Sequence, residues 1–192
     1  RELLTALQTY PKLVLDWRRD TARLNVVQEQ IDIGVRIGHL ADSRLIARKI
    51  GETCEKIVMA PDLLRRLGKP KDFADLQKNY PLAAVLNHNN GRADTWYINE
   101  NLQFTPAKPH FVGSHIHNAL QAALAGNAVS QQLDWMVAPH LLSGELVELF
   151  AEVPKIRWPV SIYRPQRVVT PMRVKVVFDL LAGILGKRFE LP

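Results

Sequence analysis

Cysteine is nearly absent from this sequence, with Cys54 the only one among 192 residues. A single cysteine cannot form an intrachain disulfide, so the composition does not call for an oxidising compartment, and we expect a cytoplasmic protein. Long apolar runs are lacking too, because no stretch approaches the roughly 20 residues that cross a bilayer. The sequence therefore predicts no membrane partner.

Clusters of positive charge are also missing, although the formal net charge is +6. A basic protein of this size attracts nucleic acid when its cations form a patch or alternate with aromatic residues. Here the densest groups are isolated pairs such as Arg65-Arg66 and Lys187-Arg188. The pattern indicates a mildly basic surface rather than a nucleic-acid interface.

Motifs that carry catalysis or bind metal are not found. The chain contains no Gly-x-Ser-x-Gly, no His-Glu-x-x-His and no glycine-rich phosphate loop. His115 and His117 are two residues apart, and on a helix such a pair points to different faces, which argues against chelation. We expect no enzyme activity, no metal and no cofactor, and we expect Cys54 to be a small buried residue.

What the sequence does contain is a regular alternation of strand and helix signals. Apolar residues alternate with polar ones in the strands and recur every three or four residues in the helices. The predicted elements in the first part of the chain are a helix over 3–7, strands over 12–17 and 31–37 around a helix over 20–30, a strand over 55–60 and a helix over 61–67. The two strands over 12–17 and 31–37, joined by the helix over 20–30, predict a parallel βαβ unit.

The same alternation continues to the end of the chain. The predicted elements there are strands over 81–86, 95–98, 128–132, 145–150 and 158–163, a helical turn over 134–142, and two further helices. We expect Ser114 to cap the first of these helices and Gly126 to end it, and we expect the last helix to begin at Thr170-Pro171 and to end at Gly186. The fold class is α/β, and the length suits two small lobes.

Several segments, taken in order, resemble the effector-binding domain of LysR-type transcriptional regulators. They are Tyr10-Pro11, Leu13-Val14-Leu15-Asp16, Asn25-Val26-Val27, residues 31–38, residues 45–51, Met59-Ala60-Pro61, Gly68-x-Pro70, Asp75-Leu76, Trp96, residues 122–126 and Gly144-Glu145-Leu146-Val147. The resemblance covers essentially the whole chain, and the ordered set is more specific than any one motif. One departure is the stretch 127–133, which is more polar than in the family and indicates a polar effector or a pocket partly filled by glutamine.

The resemblance implies two Rossmann-like lobes joined by two crossover strands, as in type 2 periplasmic binding proteins. Lobe one would comprise residues 1–58 and 162–192, and lobe two residues 59–161, with crossovers near 57–61 and 160–164. A homodimer or higher oligomer is implied as well. The resemblance further implies a winged helix-turn-helix, a linker helix and a first strand of lobe one that are absent from this chain. We accordingly expect DNA contact only through the missing N-terminal domain.

The resemblance also implies a small-molecule effector in the cleft between the lobes, where the carboxyl ends of strands and the first turns of helices meet. The expected effector-binding residues are Arg19, Asp20, Arg36, Gly38, His39, Asn87, His88, Ser114, His115, Ser130 and Gln131. The cleft would be made positive by Arg19, Arg36, His39 and the start of the helix near Ser114, so we expect an anion such as a carboxylate. For Arg36, an ion pair with Asp32 or Asp42 is an equally good expectation.

The predicted function is therefore the sensing of a small anionic metabolite by the regulatory domain of a LysR-type DNA-binding regulator. A two-lobed solute-binding protein of a transport system is the alternative, because it shares the architecture. The two classes differ in what precedes the domain: a helix-turn-helix marks a regulator, and an apolar leader marks a transport component.

Overall fold

The computed structural model describes residues 2–18, 30–40, 44–87, 90–167 and 169–189. Its helices are α1 (Glu2–Ala6), α2 (Pro61–Leu67), α3 (Phe73–Asn79), α4 (Ile116–Leu124), α5 (Asp134–Ser143) and α6 (Met172–Phe189), with a 3-10 turn at Leu7–Thr9. Its strands are β1 (Gly34–Ile37), β2 (Leu45–Met59), β3 (Leu82–Asn87), β4 (Arg92–Ala93), β5 (Trp96–Asn99), β6 (Leu102–Phe104), β7 (Phe111–Gly113), β8 (Val129–Leu133), β9 (Val147–Leu149) and β10 (Arg157–Pro165). Among the described residues, no helix is both long and apolar enough to cross a membrane.

The chain packs as two compact units, and the first is discontinuous in sequence. Unit 1 comprises Arg1–Thr53 and Arg157–Pro192, and unit 2 comprises Cys54–Ile156. The sequence predicted the first junction after residue 58 and the second before residue 162. Each predicted junction lies five residues further along the chain than the division in the structure, which falls after Thr53 and before Arg157.

Unit 1 is built on three strands covered by the last helix. In the strand order β10 lies between β1 and β2, and β1 pairs antiparallel with β10 so that Gly34 faces Tyr163. The buried core of this unit consists of Leu3, Ile50, Val160, Ile162, Val177, Leu181 and Ala182. The last helix therefore buries an apolar face, because Val177 and Leu181 of α6 enter the core.

The last helix continues beyond Gly186, where the sequence predicted its end, and that prediction is wrong. The helix runs to Phe189, which packs against the core of unit 1. A Cβ at Gly51 would overlap Phe189, so the absence of a side chain at Gly51 gives the final turn of α6 room against β2. A tertiary contact therefore overrides the local stop signal.

The predicted strand over 12–17 is not observed as a strand. Residues 13–18 alternate as expected at first, since Leu13 and Leu15 are half-buried and pack against the unit 1 core while Val14 is exposed. However, they pair with no strand among the described residues, and Trp17 is 67% exposed.

The predicted strand over 31–37 begins only at Gly34, and its partner is antiparallel, so the described residues contain no parallel pair here. The predicted helix over 20–30 lies outside the described residues apart from Gln30.

Unit 2 contains the parallel strands of the protein's described part. β3 pairs parallel with β7 on one side and with β8 on the other, and α4 connects β7 to β8 across the sheet. β2 pairs antiparallel with β8 and with β9. The cores on the two faces include Met59, Leu76 and Trp96 in one cluster and Leu120, Val137 and Leu146 in the other.

Most predicted elements of unit 2 are confirmed. Pro61 starts α2, Gly68 ends it with a φ of 78°, and the predicted strands at 81–86, 95–98, 128–132 and 145–150 correspond to β3, β5, β8 and β9. One helix, α3, was missed. Its start is marked by Asp72, whose side chain accepts a hydrogen bond from the Asp75 N–H at 2.8 Å. This is an ordinary N-cap.

Candidate ligand-binding site

The parallel strands of unit 2 end at one edge, where the sequence placed six of the eleven candidate residues. β3 ends at Asn87, β7 at Gly113 and β8 at Leu133, and the registers align Ala83 of β3 with both neighbouring strands. Carboxyl ends of parallel strands, next to the first turn of a following helix, are the usual position of ligands in α/β sheets. We therefore take this edge as the unit 2 part of the candidate site.

Asn87 lies at this edge, but its polar groups serve the adjoining turn. Its side-chain amide donates to Asp94 Oδ1 at 2.7 Å, and its carbonyl oxygen accepts from the N–H groups of Asn90 and Gly91. These bonds hold the turn between β3 and β4. His88, the neighbouring candidate, lies outside the described residues.

Ser114 and His115 stand at the start of α4, and the capping role predicted for Ser114 belongs to His115 instead. The Nδ1 atom of His115 accepts a hydrogen bond from the His117 N–H at 3.1 Å. The expectation that His115 and His117 point to different faces assumed that both lie on the helix, whereas His115 precedes it. The two rings stack, with centroids 5.5 Å apart. The described residues contain no group of three or more potential metal ligands.

Ser130 and Gln131 are more enclosed than a position at the mouth of a cleft would suggest. β8 extends to Leu133, so Ser130 lies inside the strand, where it is fully buried and pairs with Ala83. Gln131 is also buried, and its side-chain amide donates to the Tyr97 carbonyl at 2.9 Å. Both side chains are therefore engaged within unit 2.

Gln132, which the sequence did not single out, is the unusual residue of this edge. It is fully buried, and its Nε2 donates to Ser130 Oγ at 2.7 Å and to the carbonyl of Ile116 in the first turn of α4 at 3.2 Å. Its Oε1 has no hydrogen-bond partner among the described residues. An unpaired buried acceptor costs free energy. The polar departure at 127–133 was the signal in the sequence that pointed to this residue.

In unit 1 the candidate residues gather at the end of β1. Arg36 is a half-buried residue of that strand, and Gly38 follows with a φ of 98° and donates its N–H to Pro159 O at 2.8 Å. His39 is exposed. Arg19 and Asp20 lie outside the described residues, so their predicted role stays a prediction.

The structure excludes one of the ion pairs expected for Arg36, the pair with Asp32. Asp32, its expected partner, instead accepts a hydrogen bond from Arg167 at 2.9 Å. Arg36 forms no ion pair with any residue in the described ranges, whereas Asp42 lies outside them. The guanidinium group at the end of β1 is therefore available to an anion as far as the described residues show.

Unit 2 also contains a cluster of ion pairs that is separate from the candidate residues. Glu148 of β9 lies between Lys56 and Lys155, with oxygen-to-nitrogen distances of 2.6 and 2.9 Å. Burial alone would raise the pKa of Glu148, but the two ammonium groups outweigh burial, and the pKa lies below its ordinary value. Cys54 is buried as predicted, and its N–H and thiol face Asp134 Oδ2.

Comparison with solved structures identifies the fold. The regulatory domain of CrgA, a LysR-type transcriptional regulator from Neisseria meningitidis, superposes with a TM-score of 0.78 at 22% identity, over 95% of this chain and 89% of that one. The full-length virulence activator AphB of Vibrio cholerae gives a TM-score of 0.76 at 19% identity, over 95% of this chain and 62% of that one. The predicted type 2 periplasmic-binding-protein-like fold class is confirmed.

The curated relatives are transcriptional regulators rather than enzymes. CrgA of N. meningitidis serogroup C is 26% identical over 183 residues, and the transcriptional activator TtdR of Escherichia coli K12 is 23% identical over 191 residues. These matches cover 93% and 97% of this chain but 60% of each relative. The model of the LysR substrate binding domain matches residues 2–185. The chain thus belongs to the LysR substrate binding domain family, the regulatory part of LysR-type transcriptional regulators.

Proposed function

We propose that this chain is the effector-binding domain of a LysR-type DNA-binding regulator and that its effector is a small anionic metabolite. The family match supports the regulatory role, and the available guanidinium of Arg36 is the observation that supports an anion. The chain spans about 60% of the length of the curated relatives it matches. DNA binding, self-association and a cytoplasmic location are therefore part of the proposal for the whole protein.

Arg36 is the residue from which we infer that the effector is negatively charged. A guanidinium presents five N–H donors in a planar fork that fits a carboxylate or a phosphate with two parallel hydrogen bonds. Arg36 is half-buried, so part of its hydration is already lost, and a buried charge is favourable only when it is paired. Asp32 is occupied by Arg167, and we infer an anionic ligand as the partner of Arg36, with an ion pair to Asp42 as the alternative.

The edge of unit 2 supports a ligand that also carries hydrogen-bonding groups. The amino end of α4 has a partial positive charge, which favours an anion, and Ser114 and His115 stand at that end. The unpaired Oε1 of Gln132 lies in the same neighbourhood, because the Nε2 of this residue contacts the first turn of α4. We infer that this edge of unit 2 offers hydrogen-bonding groups to the effector.

The proposed mechanism is a shift between conformational states. An effector changes the DNA-binding activity only to the extent that its affinity differs between those states, and the coupling is reciprocal. We therefore expect that, in the full-length protein, the effector alters the affinity for operator DNA, and that operator DNA alters the affinity for the effector by the same factor. The 192-residue chain alone is expected to show no sequence-specific DNA binding.

The test is a thermal-shift screen of small carboxylates and phosphate esters, each compared with its neutral amide or alcohol. At a hundredfold excess over its Kd, a bound anion should raise the melting temperature by about 5–10 °C. Arg36→Gln should weaken the binding by roughly 10- to 100-fold, because one charge-assisted contact is lost. Arg48→Gln, which removes the same charge from an exposed position of β2, is the matched control and should stay within about twofold.

Two results would contradict the proposal. Equal stabilisation by the neutral analogues would show that the effector is not recognised by its charge. Equal weakening by Arg36→Gln and Arg48→Gln would show that the general charge of unit 1, rather than a contact at the end of β1, attracts the anion.

A further inference from the structure

The turn between β3 and β4 contains the only Asn-Gly pair of the 192-residue sequence, Asn90-Gly91. Both residues are exposed. Gly91 has a φ of 68°, and a Cβ at this position would meet no atom within 4 Å. The backbone conformation therefore favours glycine here, whereas packing does not require it, and the space beside Gly91 is open.

Three hydrogen bonds hold this turn. The N–H groups of Asn90 and Gly91 both donate to the Asn87 carbonyl oxygen, at 3.3 and 2.8 Å. The Arg92 N–H donates to Asn90 Oδ1 at 2.9 Å, which is the bond of an Asx turn. This last bond closes a ring that contains both Asn90 Cγ and the Gly91 nitrogen, so the side-chain amide is folded back toward the following peptide group.

The arrangement favours attack of the Gly91 nitrogen on Asn90 Cγ. The hydrogen bond from the Arg92 N–H to Asn90 Oδ1 stabilises the negative charge that this oxygen gains during such an attack. The bond from the Gly91 N–H to Asn87 lies in the plane of the peptide group, whereas the nitrogen attacks perpendicular to that plane. The nitrogen is therefore not shielded by its own hydrogen bond, and glycine has no Cβ that would crowd it.

We propose that Asn90 is a site of spontaneous covalent modification, at which the Gly91 nitrogen displaces ammonia from the side-chain amide. The bond between the Gly91 nitrogen and Asn90 Cγ forms, the bond from Cγ to Nδ2 breaks, and the proton of the Gly91 amide leaves with the ammonia. The product is a cyclic imide. Water then opens the imide at one of its two carbonyl groups, which leaves aspartate or isoaspartate at position 90.

Asn99 provides a comparison within the same chain. In the turn between β5 and β6, Asn99 Oδ1 accepts a hydrogen bond from the Asn101 N–H at 3.0 Å, so the same kind of ring is closed. The residue that follows Asn99 is Glu100, whose Cβ crowds the attacking nitrogen. The two turns share the hydrogen bond and differ in the residue that supplies the nitrogen. We expect Asn90 to react at least about 10-fold faster than Asn99.

The modification changes the carboxyl end of β3 in two ways. Either product adds a negative charge to the turn that follows Asn87, one of the candidate site residues. Isoaspartate also lengthens the main chain by one methylene group, which is expected to break the pairing of Asn87 with Arg92. The reaction itself is independent of the proposed effector, whereas any effect of the added charge on effector binding rests on the proposed function.

Peptide mapping by mass spectrometry tests the proposal on the 192-residue chain. After incubation for days at about pH 8, the peptide that contains residue 90 should gain about 1 Da, and isoaspartate should be identified by its fragmentation. The gain should be slower at about pH 6, because the attacking nitrogen must lose its proton. A synthetic peptide of residues 87–94 gives the rate without the fold. If Asn90 stays intact in the protein while half of this peptide reacts, the folded turn protects Asn90 and the proposal is overturned.

Two substitutions test the role of glycine from opposite directions. Gly91→Ala should slow the reaction at Asn90 by at least about 10-fold, and Glu100→Gly should accelerate the reaction at Asn99 by a similar factor. Glu100→Ala is the matched control and should leave Asn99 as slow as in the wild-type protein. Gly91→Ala also strains the backbone at a positive φ, whereas Glu100 has no positive φ, so Glu100→Gly is free of that effect. Equal rates at Asn90 in the wild-type protein and Gly91→Ala, or an unchanged rate at Asn99 in Glu100→Gly, would contradict the proposal.

Hydrogen exchange distinguishes the two products. The Asp94 N–H donates to the Val85 carbonyl oxygen at 2.8 Å in the paired β3–β4 turn. This amide should exchange faster in the isoaspartate fraction than in the unmodified protein, and Asn90→Asp, which keeps the normal main chain, should leave its exchange unchanged. Equal exchange of the Asp94 amide in the isoaspartate fraction and in Asn90→Asp would overturn the inferred effect on β3.

Discussion

Replacing Glu148 by glutamine is expected to destabilise unit 2 more than the loss of an exposed ion pair would. Glu148 Oε2 lies 2.6 Å from Lys56 Nζ, and Glu148 Oε1 lies 2.9 Å from Lys155 Nζ. The three side chains are only 14%, 27% and 17% exposed. A neutral amide would leave two ammonium groups close together without the charge that holds them.

The magnitude follows from the burial of the cluster. Removing one member of a fully buried pair costs about 3–5 kcal/mol, and removing one member of an exposed pair costs under about 1 kcal/mol. Because some water reaches all three groups, we expect a loss of about 2 kcal/mol, or a fall in melting temperature of about 4–8 °C for a chain of this size. Glu52→Gln, which breaks the exposed 2.6 Å pair with Lys49, is the matched control and should cost under about 0.5 kcal/mol.

The effect of pH gives a second, independent readout. The pKa of Glu148 lies below its ordinary value of 4.5, because its two lysine partners outweigh the effect of burial. A carboxyl group with a depressed folded-state pKa contributes stability that is fully present above its unfolded pKa and is lost as the pH falls through its folded pKa. The difference between the wild-type protein and Glu148→Gln should therefore be constant from about pH 7 to pH 5 and shrink below about pH 4.5.

Urea unfolding followed by circular dichroism measures both quantities. The unfolding free energies of the wild-type protein and the two variants are compared at several pH values, with equal m-values as the condition for comparison. A loss under about 0.5 kcal/mol in Glu148→Gln, or a loss equal to that of Glu52→Gln, would refute the reasoning from burial. A difference that does not shrink in acid would show that the charge of Glu148 is not its source.

Two further predictions concern unit 2. Leu76→Ala should cost about 3 kcal/mol in urea unfolding, because Leu76 is fully buried in the core, whereas Leu142→Ala, at a position 89% exposed, should stay within about 0.5 kcal/mol; equal losses would contradict the packing argument. Asp72→Ala should cost about 1 kcal/mol by removing the acceptor of the Asp75 N–H, and Asp72→Asn should restore most of it; a variant with asparagine as unstable as that with alanine would exclude the capping role.

The elements that the sequence predicted well are those whose start and stop signals are local. Pro61 and Gly68 bound α2 without reference to any other part of the chain. The same local signals were present for α3, where Asp72 precedes Asp75 by three residues, but the short apolar pattern between them was not recognised as a helix. A capping residue therefore indicates the start of a helix even where the helix has only two turns.

The elements that the sequence predicted poorly depend on distant partners. The alternation over 12–17 predicts a strand, but a strand also needs a neighbour, and alternation carries no information about the neighbour. In α6, Gly186 is a local stop signal that is overridden by the contact between Gly51 and Phe189. Gly51 and Phe189 are 138 positions apart in the sequence (189 − 51), so the local pattern around either residue carries no information about this contact.

The candidate site shows the same division. Position at the end of a strand was enough to select Arg36, but whether Arg36 pairs with Asp32 depended on Arg167, which binds Asp32 from 135 residues away. Ser130 and Gln131 were selected on a strand assumed to end at Gln132, and the register shows them to be enclosed. The polar character of 127–133 was noticed, whereas the burial of Gln132 followed only from the packing of α4 on β8.

The discontinuity of unit 1 has a consequence for biosynthesis. Unit 2 is one uninterrupted stretch, Cys54–Ile156, so it leaves the ribosome complete while unit 1 still lacks Val160, Ile162, Val177 and Leu181. At about 5–20 residues per second, the 25 residues from 157 to Leu181 (181 − 156) add about 1–5 s to translation. During that interval the amino-terminal residues of unit 1 have no core of their own, and nascent chains stalled after residue 156 should expose them to proteases and chaperones.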